Sequence, residues 1–156
     1  MRRRGFTLIE MVVTVAIVGL LATVALPIAQ VGAQRAREQE LRDALREIRG
    51  AIDAYKAAAD AGRIAKEPGA TGYPPSLEVL ASGVEDERSL KKARIYFLRR
   101  VPRDPFYPDP SAAPEETWGQ RSYASEPADP RPGDDVFDVH SLSQRRGLNG
   151  IAYRDW

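Results

Sequence analysis

An apolar run near the amino end constrains this chain more than any other feature. Between Phe6 and Ala29 the only charged residue is Glu10, and the run directly follows three arginines at positions 2–4. A helix of about 20 residues, each rising about 1.5 Å, spans a hydrocarbon core of about 30 Å. We therefore expect residues 6–29 to form a membrane-spanning helix.

A cleavable secretory signal has the same order of a basic tip followed by an apolar segment. Here the small-residue cleavage positions near Ala25 and Ala29 are disrupted by neighbours such as Pro27. A charge such as Glu10 at mid-bilayer would also cost about 2.5–3.5 kcal/mol on insertion. Because the helical pattern also continues beyond the run, an ordinary signal peptide is disfavoured.

The seven residues from Arg4 to Glu10 read Arg-Gly-Phe-Thr-Leu-Ile-Glu. This stretch resembles the class III signal of type IV pilins and type II secretion pseudopilins. The resemblance implies that a prepilin peptidase cuts between Gly5 and Phe6 and that Phe6 is then N-methylated. It also implies four segments: a cytoplasmic leader peptide at 1–5, a transmembrane and assembly helix at 6–29, an amphipathic helix at 30–62 and a periplasmic globular α/β region at 63–156.

Glu10 needs a partner, because a carboxylate in hydrocarbon is costly unless it is paired or protonated. The implied cut creates an ammonium group on Phe6, four residues earlier. Glu10 pairs either with that amine of its own chain or with the amine of a neighbouring subunit. The resemblance implies the second pairing, which sets the axial register of a growing filament.

Pro27 removes an amide donor and crowds the preceding turn, so we expect a kink or local loosening there. The resemblance implies that Pro27 has a role in assembly.

Charge and cysteine content limit the partners and the location. The formal charge is +1, and losing the three arginines of the leader would leave −2, so we expect no nucleic acid partner. By the positive-inside rule these arginines place the amino end in the cytoplasm and the remainder in the periplasm. We thus expect a single-pass protein of the bacterial inner membrane. The chain has no cysteine. In the family that it resembles, many type IV pilins close a C-terminal loop with a disulfide, whereas major pseudopilins usually lack one, so the resemblance favours a pseudopilin.

Beyond the apolar run, one stripe of a continuous helix from Val31 to Ala61 is expected to face a core, with Gly62 as its C-cap. Its apolar residues recur at helical spacing: Leu41, Leu45, Ile48, Ile52 and Tyr55.

The rest of the chain is predicted to contain short elements and long loops. Ser76 should cap a short helix at Leu77–Leu80, followed by a polar turn at 82–89 and a short helix or irregular segment at 90–101. Strands are expected at 120–124 and 136–140, with a Pro-rich surface loop at 108–132 broken by the strand around Tyr123. We expect five aromatic residues to be core residues: Trp118, Tyr123, Phe137, Tyr153 and Trp156.

Three segments of this region resemble the periplasmic domain of major (G-type) pseudopilins of type II secretion: Tyr73-Pro74, Val101 to Phe106, and Trp118 to Tyr123. The implied fold class is α+β and type IV pilin-like. In it, a long helix packs against a small antiparallel sheet, and an Asp-Pro-aromatic turn leads into that sheet.

The segment from Asp134 to Ser143 is where metal binding is considered. Calcium is bound by six to eight oxygens, and the resemblance implies ligation by Asp138 and Ser141, with Asp135 nearby. Gln144, Arg145 and Arg146 stand where further acids are expected, so two alternatives remain. Either calcium binds, or one of the two arginines neutralises Asp134, Asp135 or Asp138. Coulomb repulsion of a divalent cation by two arginines favours the second alternative.

The sequence contains no pattern that predicts an enzyme. His140 is the only histidine, and a Ser-His-Asp site of Ser141, His140 and Asp138 is disfavoured because neighbours on a strand face opposite ways. We predict a structural subunit, a pseudopilin that polymerises into the periplasmic pseudopilus of a type II secretion system. Its expected partners are the prepilin peptidase, minor pseudopilins and the inner-membrane assembly platform. The alternative is a minor type IV pilin.

Overall fold

The computed structural model describes residues 6–156, with the backbone alone for residues 24–27. Its contacts divide the chain into two units, Met1–Ala36 and Arg37–Trp156. One helix, α1 (Leu8–Asp60), contributes to both units. The predicted continuous helix from Val31 to Ala61 is therefore confirmed to within one residue. Helix α1 also continues through Pro27 without a break.

In the first unit, the large apolar side chains that the structure describes are 39–83% exposed. The hydroxyls of Thr14 and Thr23 donate to the helix carbonyls of Glu10 and Leu20, at 2.6 and 2.7 Å. These bonds satisfy the hydroxyls inside an otherwise apolar surface. In length and composition, this part of α1 is long and apolar enough to cross a membrane. An apolar surface of this size needs lipid or neighbouring chains to cover it.

The end of α1 is closed by a glycine in the left-handed conformation. Gly62 has φ +66°, and its N–H donates to Ala59 O at 2.9 Å, while Arg63 N–H donates to Ala58 O at 2.9 Å. This pair of bonds is a Schellman motif, which satisfies two of the last helix carbonyls. The predicted C-cap at Gly62 is confirmed.

The second unit packs its core on one face of α1. All five residues of the predicted stripe are buried, from Leu41 at 0% to Tyr55 at 7% exposed. The other elements of the unit supply the residues that complete this core: Leu77, Leu80, Trp118, Val136, Val139 and Tyr153.

The short helix α2 (Leu77–Ser82) is confirmed, with Ser76 at the N-cap position but without a side-chain capping bond. The following segment differs from the prediction. The polar turn at 82–89 contains strand β1 (Val84–Glu85), and the segment at 90–101 contains strand β2 (Arg94–Ile95). They pair as an antiparallel hairpin, Val84 with Ile95 and Glu85 with Arg94. Two-residue strands are too short to produce a readable alternation of apolar and polar residues.

Strands β3 (Trp118–Arg121) and β4 (Asp138–Ser141) form a second antiparallel pair. Both predicted strands exist, but β3 begins two residues earlier than expected and β4 two residues later. Two backbone hydrogen bonds outside the β3–β4 ladder explain why both strands are displaced. Val136 N–H donates to Pro74 O at 2.8 Å, outside the ladder, and Ser122 N–H donates to Arg131 O at 2.9 Å.

The expectation of five aromatic core residues holds only in part. Trp118 and Tyr153 are buried, and Phe137 and Trp156 are half-buried. The prediction for Tyr123 is wrong, because it is 59% exposed and follows the end of β3. Its ring packs against Tyr73 and Phe137 at centroid distances of 5.6 Å.

The fold class is α+β, with a long N-terminal helix and two small antiparallel sheets where one was expected. This layout is consistent with a type IV pilin-like fold. A 3-10 turn, Pro114–Thr117, leads into β3, and a second, Tyr153–Asp155, follows β4.

Candidate processing and assembly site

Helix α1 begins with a reciprocal pair of hydrogen bonds between Thr7 and Glu10. Thr7 N–H donates to Glu10 Oε2, and Glu10 N–H donates to Thr7 Oγ1, both at 3.3 Å. This is a capping box, which satisfies two of the amides that a helix leaves without partners. It also holds the carboxylate at the positive end of the helix dipole. Glu10, the only charged residue of the apolar run, thus lies in the first turn of the helix.

Phe6 directly precedes this box and is 79% exposed. Gly5, and with it the predicted cut between Gly5 and Phe6, lies outside the described residues. Pro27 lies within α1, where only its backbone is described. The described part of the site therefore presents an exposed aromatic residue, followed by a carboxylate, at the amino end of a long apolar helix.

Asp135, the first candidate metal ligand, is buried in a network of hydrogen bonds. Its Oδ1 accepts from Ser122 Oγ at 2.8 Å and from Tyr123 N–H at 2.9 Å, and its Oδ2 accepts from the Thr71 hydroxyl. Burial raises the pKa of Asp135, but the three donors together outweigh it and hold the pKa below its ordinary value. Asp135 thereby ties the loop around Thr71 to the end of β3.

Asp138, the second candidate, is paired with a cation from α1. Its Oδ1 accepts from Arg49 Nε at 2.8 Å and from Val139 N–H at 2.8 Å. Arg49 also donates to Val139 O at 3.0 Å and to Trp156 O at 2.8 Å. The arginine that neutralises Asp138 is therefore Arg49. The prediction that Arg145 or Arg146 neutralises Asp138 is wrong.

The two predicted arginines have other contacts. Arg146 donates to Gly150 O at 2.9 Å, and Arg145 lies 5.6 Å from the centroid of the Phe106 ring. Both belong to the segment after β4, which turns back so that Arg146 and Ala152 form an isolated β-bridge. Neither arginine forms an ion pair with Asp134, Asp135 or Asp138 among residues 6–156.

Ser141, the third candidate, is buried and donates to Asp104 Oδ2 at 2.5 Å. Asp104 is 1% exposed, and its Oδ1 accepts from Phe106 N–H at 2.8 Å. The Asp-Pro-aromatic turn is thus fixed to β4 through this carboxylate. The three candidate ligands have three separate sets of partners, and across residues 6–156 no group of three or more Asp, Glu, His or Cys side chains is placed to hold a metal ion.

His140 pairs with Gly119 across the β3–β4 ladder. A Cβ at position 119 would overlap the His140 imidazole, so the ring occupies the space that the glycine leaves. Burial lowers the pKa of His140, Asp138 and Asp155 oppose this shift, and Arg154 and Arg49 add to it. His140 is thus a half-buried packing residue.

Sequence reasoning missed a buried carboxylate on α1. Glu38 is 3% exposed, and its Oε1 accepts from Leu148 N–H at 2.8 Å and from Tyr153 Oη at 3.0 Å. Arg42 Nη2 lies 3.8 Å from its Oε2. Glu38 lies one turn before Leu41, on the same face of α1 as the apolar stripe. A carboxylate at that position in the stripe could have indicated a buried, hydrogen-bonded acid. Together with Arg49, it attaches the segment after β4 to α1.

The amino-terminal part of the chain matches a known family model. A family model described as the prokaryotic N-terminal methylation motif matches residues 1–26. No curated protein and no solved structure matches the chain. The matched residues cover the arginines, the predicted cut, the capping box and most of the apolar run. The motif marks a structural, pilin-type protein, and with the apolar helix it is compatible with a single-pass membrane anchor. The chain thus carries the features of a type IV pilin-like, prepilin-type protein.

Proposed function

We propose that this chain is a pseudopilin, a structural subunit that polymerises into the periplasmic pseudopilus of a type II protein secretion system. A prepilin peptidase first cuts between Gly5 and Phe6, and Phe6 is N-methylated. The observation that carries the proposal is the methylation motif at residues 1–26. It runs directly into α1, whose apolar residues are exposed within one chain. Such a surface is available to pack against other copies once the leader is removed.

The choice of a secretion pseudopilus over a surface pilus rests on the second unit. The Asp-Pro-aromatic turn is built around a buried carboxylate, Asp104, which Ser141 of β4 fixes at 2.5 Å. The turn leads through a 3-10 turn into β3, the order that the resemblance to major pseudopilins implies. The chain also has no cysteine with which to close the disulfide loop of many pilins.

The proposed location and partners follow from this assignment. The chain enters the bacterial inner membrane with its amino end in the cytoplasm and its second unit in the periplasm. Other copies of the chain, minor pseudopilins and the inner-membrane assembly platform are its partners. No enzymatic role is proposed.

A substitution at the predicted cut tests the first step. A peptidase that requires a small residue there should not process the Gly5→Val chain, which would keep its full mass in a membrane fraction. Gly19→Val in the same apolar segment is a matched control and should be processed normally, because nothing lies within 4 Å of a Cβ at that position. Normal cleavage of the Gly5→Val chain would refute the prepilin assignment.

Loss of the chain in its host separates the secretion role from the pilus role. Under the proposal, proteins destined for the medium accumulate in the periplasm while surface pili and the movement they drive are unchanged. The reverse result, normal secretion with loss of surface pili, would favour the minor pilin.

A further inference from the structure

The charges of the second unit are separated into a basic and an acidic region. Residues 88–103 contain seven Lys or Arg and no acid, whereas residues 104–138 contain nine Asp or Glu and two Arg. The whole chain carries only +1, so the separation is a local property. Like charges at this density repel each other and are well placed for a partner of opposite charge.

The basic region includes a protruding tip, which we define as residues 88–92, in the β1–β2 connection. Its backbone is fixed by two hydrogen bonds of 2.9 Å, from Ser89 N–H to Asp86 O and from Lys92 N–H to Ser89 O. Asp86 in turn accepts from Arg63 Nη2 at 2.5 Å, just beyond α1. The basic tip is therefore a defined protrusion attached to the carboxyl end of α1.

Two of the five side chains of the basic tip are used within the chain, Ser89, whose Oγ accepts from Ala93 N–H at 3.2 Å, and Lys92. Leu90 is 104% exposed, and Arg88 and Lys91 are exposed and form no ion pair within residues 6–156. Arg88 is close enough to Asp86 to add to the Arg63 hydrogen bond in lowering the pKa of that carboxylate. Lys92 is paired with Glu85 at 3.4 Å. A fully exposed leucine between cations is unfavourable in water. It also contributes nothing to phosphate binding, which argues for a protein surface over a nucleic acid.

The acidic region contains a concave site of complementary charge. A cavity of about 440 Å³ beside the end of β3 is lined by Glu126, Asp129 and Asp134, together with Arg131 and several small residues. Asp129 is paired with Arg131 at 2.5 Å. Glu126 and Asp134 are exposed and have no cationic partner among the residues that the structure describes. We call this cavity the acidic pocket.

We propose that the basic tip of one copy of this chain docks into the acidic pocket of the next copy. Lys91 and Arg88 would face Glu126 and Asp134, and Leu90 would lie against Pro132 and the small residues of the pocket wall. Because the tip and the pocket are different surfaces, the contact is heterologous, and repetition of it produces an open filament when the rotation between copies does not close a ring. The inference rests on the proposed function and adds to it a contact between the second units of neighbouring subunits.

Cysteine cross-linking tests the contact directly, because the natural chain has no cysteine. In membranes under mild oxidation, full-length Leu90→Cys/Glu126→Cys should form a ladder of disulfide-linked multimers, since each copy carries both partners. Leu90→Cys alone should stop at dimers. Leu90→Cys/Lys66→Cys is a matched control, with its second cysteine at another exposed loop position, and should give no ladder. An equal ladder from this control would overturn the proposal.

Charge reversal in the cross-linking background tests the chemistry. Lys91→Glu, or Asp134→Lys, should reduce the ladder by about tenfold, because like charges then oppose each other, and the two together should restore it. Lys66→Glu, the same change at a distant loop, should leave the ladder unchanged. If Asp134→Lys has no effect while Lys91→Glu abolishes binding of a DNA duplex, the tip binds a polyanion and the proposal is wrong.

Electron microscopy of the same samples separates the two levels of inference. Filaments without a ladder would overturn the contact and leave the proposed function intact. A ladder without filaments would support the contact and overturn the filament, and the absence of both would overturn both.

Discussion

At the scale of single residues, Glu10 combines two properties that substitution can separate. Its carboxylate completes the capping box with Thr7, and we propose that its charge pairs with an amine of a neighbouring chain. Gln retains the acceptor of a capping box but not the charge. A single isosteric change therefore distinguishes a role in starting the helix from a role in assembly.

We expect Glu10→Ala and Glu10→Gln both to be cleaved normally and both to assemble poorly. In Glu10→Gln the start of the helix is preserved, so the loss is due to the missing charge. The measurement is the amount of filament sheared from cells, beside the fraction of processed chain. If Glu10→Gln assembles like the natural chain and only Glu10→Ala fails, capping is what matters and the register role is wrong.

Asp138 allows a test of the two alternatives for the segment after β4. Its charge is matched by Arg49 in a partly exposed ion pair, so we expect little or no change of the melting midpoint between calcium and chelator. A ligand at a hundredfold excess over its Kd would add about 2.7 kcal/mol and raise the midpoint by several degrees. Arg49→Ala should instead lower the midpoint in both media, because two main-chain carbonyls also lose their donor. A calcium-dependent rise of more than about 5 °C that Asp138→Ala abolishes would show that the metal binds.

At the scale of elements, the β3–β4 pair contains a pH-sensitive contact. His140 fills the space above Gly119, and burial holds the pKa of His140 below its ordinary value. The folded state therefore prefers the neutral ring, while the unfolded chain takes up a proton near pH 6.5. Where the unfolded state binds more protons, stability rises with pH. The contribution of His140 is complete above about pH 6.5 and is lost as the pH falls towards the folded-state pKa.

We expect the melting midpoint to fall between about pH 7.5 and about pH 5.5, and the change to be small because the ring is half-exposed. His140→Gln should remove most of this difference, since no other side chain normally titrates in that interval. An unchanged pH dependence in His140→Gln would show that another group is responsible.

The elements differ in how well the sequence predicts them. Helix α1 was predictable because its apolar stripe recurs over four turns and ends at a glycine. The β1–β2 hairpin was missed because each strand has two residues. The strands of the second pair were displaced because the amides of Val136 and Ser122 donate to Pro74 and Arg131, contacts that no local pattern reveals. The ion pair of Arg49 and Asp138 was missed because 89 residues separate them.

The parts of the candidate site that are formed by residues close together in the sequence could be predicted. Thr7 and Glu10 lie three residues apart, so the spacing of a capping box could be read from the sequence. Glu38 could not be placed, because its burial depends on Leu148 and Tyr153, more than a hundred residues away. The apolar run is visible in composition alone.

At the scale of the whole molecule, the two units differ in whether their apolar side chains are covered within the chain. The first exposes its apolar side chains, whereas the second buries its apolar stripe against its own elements. We expect a chain that lacks residues 1–34 to be a soluble monomer, because the surface with the largest apolar area is then gone and a contact between a five-residue tip and one pocket is too small to hold a stable oligomer alone. Light scattering at several concentrations measures this. A stable oligomer would show that the second unit associates without the apolar helix.

The attachment of residues 148–153 to Glu38 has a consequence for the biosynthesis of the protein. The two partners of Glu38 are synthesised 110 and 115 residues after it. At about 5–20 residues per second, the ribosome needs roughly 6–23 s to reach them. During that interval the nascent chain can insert its apolar run into the bilayer, but the stripe on α1 lacks Tyr153 and the contacts of Glu38 that complete its cover. The stripe on α1 therefore stays incompletely covered until residues 148–153 have been synthesised, so the second unit cannot complete its folding before that point.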